Sequence, residues 1–177
     1  MIQLSTLLVI MSLMFGYVGF TRGWNKEIIA TSGIVLALFA LYQFDDLLTN
    51  LFINIRQDHA FFIRTIFLGI VAFFAYQTRA LIAEDKPRSR GGADGRDSLQ
   101  SSVLGALVGC FNGYLVWGSL WYFMDVTGYP LQPYISAPIP GTASANFVGS
   151  LPLYLDPTGN LLAAAMIALF LVVLIVI

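Results

Sequence analysis

Apolar residues in this chain come in blocks, longer than any alternating or heptad stripe would require. Nearly uninterrupted blocks cover about residues 2–20, 28–44, 61–82, 103–124 and 161–177. A helix rises ~1.5 Å per residue and a hydrocarbon core is ~30 Å thick, so blocks near this length predict membrane-crossing helices. The expected fold class is all-α, a polytopic transmembrane protein with about five spans. The third block carries Arg64 near one end and Arg79 near the other, and the 14 residues between them are uncharged. Both guanidinium groups are expected to reach outward along their aliphatic stems.

The connections read differently from one another. Over residues 45–59, Leu47, Leu48, Leu51, Phe52 and Ile55 recur at helical spacing opposite Asn50, Asn54 and Gln57. That pattern predicts an amphipathic helix lying on the membrane surface, with Asp45 or Asp46 as its N-cap. Residues 84–97, EDKPRSRGGADGRD, read as a polar, glycine-rich loop. Residues 126–160 hold six of the seven prolines and no Lys or Arg, which predicts an irregular extramembrane cap. The chain thus divides into a membrane domain over 1–125 with four spans, a Pro-rich segment over 126–160, and a fifth span over 161–177.

Composition strengthens this picture. Hydrophobic residues make up 58% of the 177 and charged residues only 11%, where soluble domains carry about 25%. The mean hydropathy is +0.78. The net charge of −1 hides a segregation: Arg22, Lys26, Arg79, Lys86, Arg88, Arg90 and Arg96 fall on one side of a five-span topology, and only Arg56 and Arg64 on the other. The positive-inside rule then predicts an N-terminus outside and a C-terminus in the cytoplasm. Trp24 at the inner boundary, and Trp121 with Tyr122 at the outer one, fit aromatic belts. No basic face calls for nucleic acid. The first block lacks a basic n-region and a small-residue cleavage site, so it is expected to be retained as a span.

Few residues carry candidate chemistry. Gly105, Gly109 and Gly113 repeat every four residues and line one face of the fourth span. Such a stripe lets a second helix approach to backbone contact, either within the chain or from another copy. Asn112, in the same span, needs a hydrogen-bond partner in hydrocarbon, and an interhelical bond is the expected one. His59, the only histidine, stands beside Asp58 at a boundary without a ligand set around it, which points to a surface role. The single cysteine, Cys110, excludes an intramolecular disulfide and reads as a packing residue. The pattern contains no catalytic, cofactor-binding or metal-binding constellation, and no acid is expected deep in a span.

The turn between the first two spans, G-Y-V-G-F-T-R-G-W-N-K-E over residues 16–27, reads as an interfacial anchor. Gly19 and Gly23 permit a tight exit, Arg22 and Lys26 are expected to meet lipid phosphates beside Trp24, and Glu27 is expected at exposed N–H groups of the second helix. The run Gly19–Glu27, with its G-x-x-R-G-x-x-K-E spacing, resembles the first signature of the CvpA (colicin V production protein) family. The stretch L-G-A-L-V-G-C-F-N-G at Leu104–Gly113, followed by Phe123-Met124-Asp125, resembles the second. The likeness covers about residues 5–125 and departs at Asn112, where the family often carries a basic residue. It implies a small bacterial inner-membrane protein linked to colicin V secretion, a toxin biosynthetic process, to envelope homeostasis or to biofilm phenotypes.

The expected partners are the lipid bilayer and either other membrane subunits or a second copy. A non-enzymatic role through helix packing and partner contacts is the first expectation. The alternatives are an accessory subunit of a photosynthetic or respiratory complex, and a channel or transporter component, which the scarcity of intramembrane polar groups disfavours.

Overall fold

The structure, a computed structural model, describes residues 3–45, 57–77 and 94–176. Among these residues it is all helical, without strands. Helices α1 (Leu4–Arg22), α2 (Trp24–Gln43), α3 (Gln57–Gln77) and α4 (Asp94–Val126) come first. A short α5 (Ala143–Phe147) runs into a 3₁₀ turn at Val148–Ser150, and α6 (Asn160–Val176) follows. The amphipathic stretch expected from 45 to 59 falls largely outside the described residues, as do Arg79 and most of the glycine-rich loop.

Helices α1 to α4 are long and apolar enough to cross a membrane. The last apolar block differs. At 17 residues, α6 spans about 26 Å, shorter than the ~30 Å hydrocarbon core. It begins beside Tyr42, whose ring lies against Gly159, and packs on α2. Four helices therefore meet the length that crossing needs, and the fifth is a shorter apolar helix.

Two boundaries move relative to the sequence expectation. Helix α2 starts at Trp24, a full turn before the apolar block does, because only Gly23 separates it from α1. With φ 81° and ψ 162°, Gly23 is the one residue that leaves helical geometry, a conformation that suits a residue without Cβ. Helix α4 starts at Asp94, within the expected loop, and reaches 33 residues. Nothing from Arg96 to Val103 breaks a helix, so hydrogen bonding carries the apolar span backward into polar sequence.

α4 is the central element. α1 runs antiparallel along it through small residues: a Cβ on Gly109 would sit 3.1 Å from the Gly19 Cα, and one on Gly113 would sit 2.7 Å from the Ser12 Cα. The Gly105–Gly113 stripe is thus occupied by α1 of the same chain. α2 packs against the rest of α4 and carries α3 and α6 on its other sides.

The Pro-rich segment closes one end of the bundle. Leu151 is fully buried, Phe147 stacks on Trp121 at 6.2 Å, and the Trp121 indole N–H donates to the Tyr129 hydroxyl at 3.1 Å. Trp121 is 2% exposed, so it belongs to the core beneath the cap and not to an aromatic belt. Asp45 pairs with Arg64 of α3, while the surface helix that Asp45 or Asp46 is expected to cap lies outside the described residues.

A buried carboxylate shared by four helices

Glu27 lies in the first turn of α2, where negative charge is favoured by the helix dipole. Its side chain is fully buried. Oε1 accepts from the Arg22 guanidinium of α1 at 2.7 Å. Oε2 accepts from the Tyr76 hydroxyl of α3 at 3.0 Å and from the Asn112 amide of α4 at 2.9 Å. Three of the long helices therefore each contribute a donor to a carboxylate carried by the fourth.

The donors are themselves held. Arg22 donates a second bond to the Tyr76 carbonyl at 3.0 Å, and its guanidinium carbon lies 4.5 Å from the centre of the Tyr76 ring. Phe15 of α1 packs against that ring in a T-shaped arrangement, with centroids 5.7 Å apart. The Asn112 carbonyl oxygen accepts from the Thr31 hydroxyl at 2.7 Å, one turn along α2 from Glu27. The same hydroxyl lies 2.8 Å from the Glu27 carbonyl. Asn112, also fully buried, thus has both ends of its amide engaged by α2.

Local sequence explains the convergence. The one-residue break at Gly23 sets Arg22 and Glu27 on consecutive helices yet within reach of each other. The close approach of α1 and α4 brings Asn112 to the level of the first turns of α2. Removing a carboxylate from water is costly, and charge-assisted hydrogen bonds with a cation offset that cost.

This corrects two readings of the turn. Glu27 does not cap exposed backbone N–H groups; it is a buried acid inside the bundle. Arg22 does not extend to lipid phosphates, since its side chain is only 9% exposed and is committed to Glu27 and Tyr76. Glu27 stands in the first turn of α2, near the end of a span, yet the surrounding helices enclose it completely. Gly19 and Gly23 sit against Gly105 and Gly109, while Trp24 and Lys26 are half-buried beside them.

Sequence reading passed over Tyr76 and Thr31 altogether. A signal for them existed in the arithmetic of donors: a buried Asn112 amide and an acid next to a glycine break both require partners. His59 is exposed, and among the described residues no group of three or more His, Cys, Asp or Glu is placed to hold a metal.

Comparison with curated proteins found no match, and comparison with solved structures found none either. A family model does match, over residues 4–145, which takes in all four long helices, the carboxylate site and most of the cap. Both signature-like runs, Gly19–Glu27 and Leu104–Gly113, lie inside that match and meet at the Glu27 cage. With far more than half of its length matched, this multi-pass membrane chain belongs to the colicin V production protein family.

Proposed function

We propose that the protein acts without catalysis, as a scaffold of the bacterial inner membrane that works through contacts with other membrane subunits in colicin V production and envelope upkeep. The observation that carries this reading is the saturation of Glu27. A carboxylate that accepts from a guanidinium, a phenol and an amide is committed to holding helices together. Support also comes from the outward faces: Leu13, Tyr17, Phe73, Phe74 and Phe170 are exposed large apolar side chains, suited to lipid or to neighbouring spans. The charge asymmetry supports an N-terminus on the non-cytoplasmic side of that membrane.

The test is purification in a mild detergent followed by mass spectrometry. The expected result is a stoichiometric set of membrane partners, or a homo-oligomer joined through a face other than the occupied Gly105–Gly113 stripe. A chain that is monomeric and partnerless under every mild condition would count against the reading. Partners from a respiratory or photosynthetic complex would narrow it to an accessory subunit.

Glu27 also favours a second reading, in which the chain belongs to a channel or transporter. Buried ionisable groups inside membrane bundles often mark ion and proton paths. Proton flux in liposomes that Glu27→Gln abolishes would support it.

A further inference from the structure

A cavity of about 510 Å³ lies at the far end of α2 from Glu27. Its lining includes Gln43 and Val126, the last residues of α2 and α4, and Arg64, two turns into α3. The surface that it exposes is more polar than apolar, with Tyr42 and Tyr122 among the ring-bearing residues that line it. The volume falls in the ~300–1,000 Å³ range of small-ligand sites. Standing where spans end, the cavity is at the level of the bilayer's headgroups.

Arg64 and Asp45 supply its charge. Among the described residues, the guanidinium of Arg64 makes its one hydrogen bond to Asp45. A guanidinium carries five N–H donors in a rigid fork, so most of them remain for an acceptor from outside the chain. Arg64 is accessible for that purpose, with its side chain 18% exposed, and Asp45, at 47%, is open to a donor.

The balance of charge selects the ligand. A simple anion drawn to Arg64 meets Asp45 at once, and Asp125 also lies within electrostatic reach of Tyr122. The C-terminal ends of α2 and α4 add partial negative charge. A simple cation gains from these groups, yet Arg64 repels it and keeps its spare donors unmet. A zwitterion answers both: its ammonium meets Asp45 and the helix ends, and its anionic oxygens meet Arg64. At headgroup level a bilayer presents that combination as phosphoethanolamine, a phosphate and a primary ammonium on one short linker.

We propose that this cavity binds a phosphoethanolamine group, its phosphate accepting from Arg64 and its ammonium donating to Asp45. The recognition chemistry is the same whether the group arrives on a phospholipid or on a soluble glycerol phosphodiester.

The experiment uses the full chain, stripped of lipid in detergent. It is equilibrated with equal amounts of phosphatidylethanolamine, phosphatidylglycerol and phosphatidylcholine of matched acyl chains. Phosphatidylglycerol lacks the ammonium, and phosphatidylcholine keeps the charge without its N–H donors. Native mass spectrometry reads the lipid that stays bound. The expected result is one phosphatidylethanolamine per chain, preferred over each of the others by about tenfold, the weight of one hydrogen bond to a charged group. Asp45→Asn, at a partly exposed position, should remove the preference over phosphatidylglycerol, and Arg64→Gln should weaken retention of all three. Soluble glycerophosphoethanolamine, added as competitor, separates the sources. Displacement at concentrations comparable to the lipid assigns the site to a soluble ligand, and displacement only at large excess assigns it to the lipid. Equal retention of the three lipids by the unaltered protein would overturn the proposal, whether or not Arg64→Gln folds. So would a preference that Asp45→Asn leaves intact, or the binding of neither phosphatidylethanolamine nor glycerophosphoethanolamine.

Discussion

At the scale of single residues, Asn112 and Tyr76 have separable roles around Glu27. Tyr76→Phe keeps the ring against Arg22 and Phe15 and deletes only the hydroxyl that reaches Oε2 at 3.0 Å. A hydrogen bond to a charged group contributes about 1.5–3 kcal/mol, so this substitution should lower stability by that amount. Asn112→Leu should cost at least as much, since it removes one of the two donors to Glu27 Oε2 and the acceptor at 2.7 Å from the Thr31 hydroxyl. Thermal unfolding in detergent, followed by circular dichroism, checks both. Asn112 shows what one residue in a sequence can reveal: a buried amide announces that a partner exists. Nothing in local pattern says that the partner is Glu27, 85 positions away. Tyr76 was harder still, because an aromatic residue near the end of an apolar block looks the same whether it faces lipid or a carboxylate.

At the scale of elements, the α1–α4 pair depends on glycine at its points of closest approach. Gly109→Leu would drive a side chain into the Phe15 and Gly19 backbone, and the two helices could not keep their separation. The expected outcome is loss of the compact fold, read as aggregation or earlier elution than the wild type in size-exclusion chromatography. Leucine on α1 at Tyr17, which is 72% exposed, should be tolerated. The cap gives a pH-dependent prediction. Burial, opposed by the bond from Trp121, pushes the Tyr129 hydroxyl up to about 12, and its bond to Asp125 acts in the same direction as burial. Tyr154, whose hydroxyl donates to the other Asp125 oxygen at 2.6 Å, is also raised, by burial first and then by Asp125.

The folded cap therefore holds these phenols neutral, while an unfolded tyrosine ionises near ~10. The contribution of Tyr129 should be complete below about pH 10 and decline as pH rises through about 12. Tyrosinate absorbance during an alkaline titration, compared with Asp125→Asn, reads the shift. The apolar blocks located the long helices because periodicity hardly matters when an element is apolar all round. Helix ends were less legible. Those of α2 and α4 depend on where hydrogen bonding stops, and apolarity does not report that.

At the scale of the whole molecule, four helices from distant parts of the sequence share one buried charge, so they should behave as a unit. The topology proposed from charge asymmetry predicts that a cysteine placed in the 84–97 loop of a Cys110→Ala background is shielded from impermeant thiol reagents in intact cells. One placed in the Pro-rich cap should be labelled. The fold class was readable from composition because the bilayer leaves helices as the simplest way to satisfy a backbone. The cage was not, because burial of Glu27 follows from how α1 and α4 approach, a property of the assembled bundle.

The most direct test of the shared carboxylate is a double-mutant cycle on Arg22 and Glu27. Arg22→Ala alone leaves a buried carboxylate without its cation, a change that costs about 3–5 kcal/mol in comparable pairs. Adding Glu27→Gln should recover a large part of that loss, because the remaining amide can still meet Tyr76 and Asn112. Unfolding measured on the wild type, both single variants and the double variant should show strong coupling between the two sites. Additive effects, with the double variant as unstable as the sum of the singles, would contradict the account that this ion pair is the lock of the bundle.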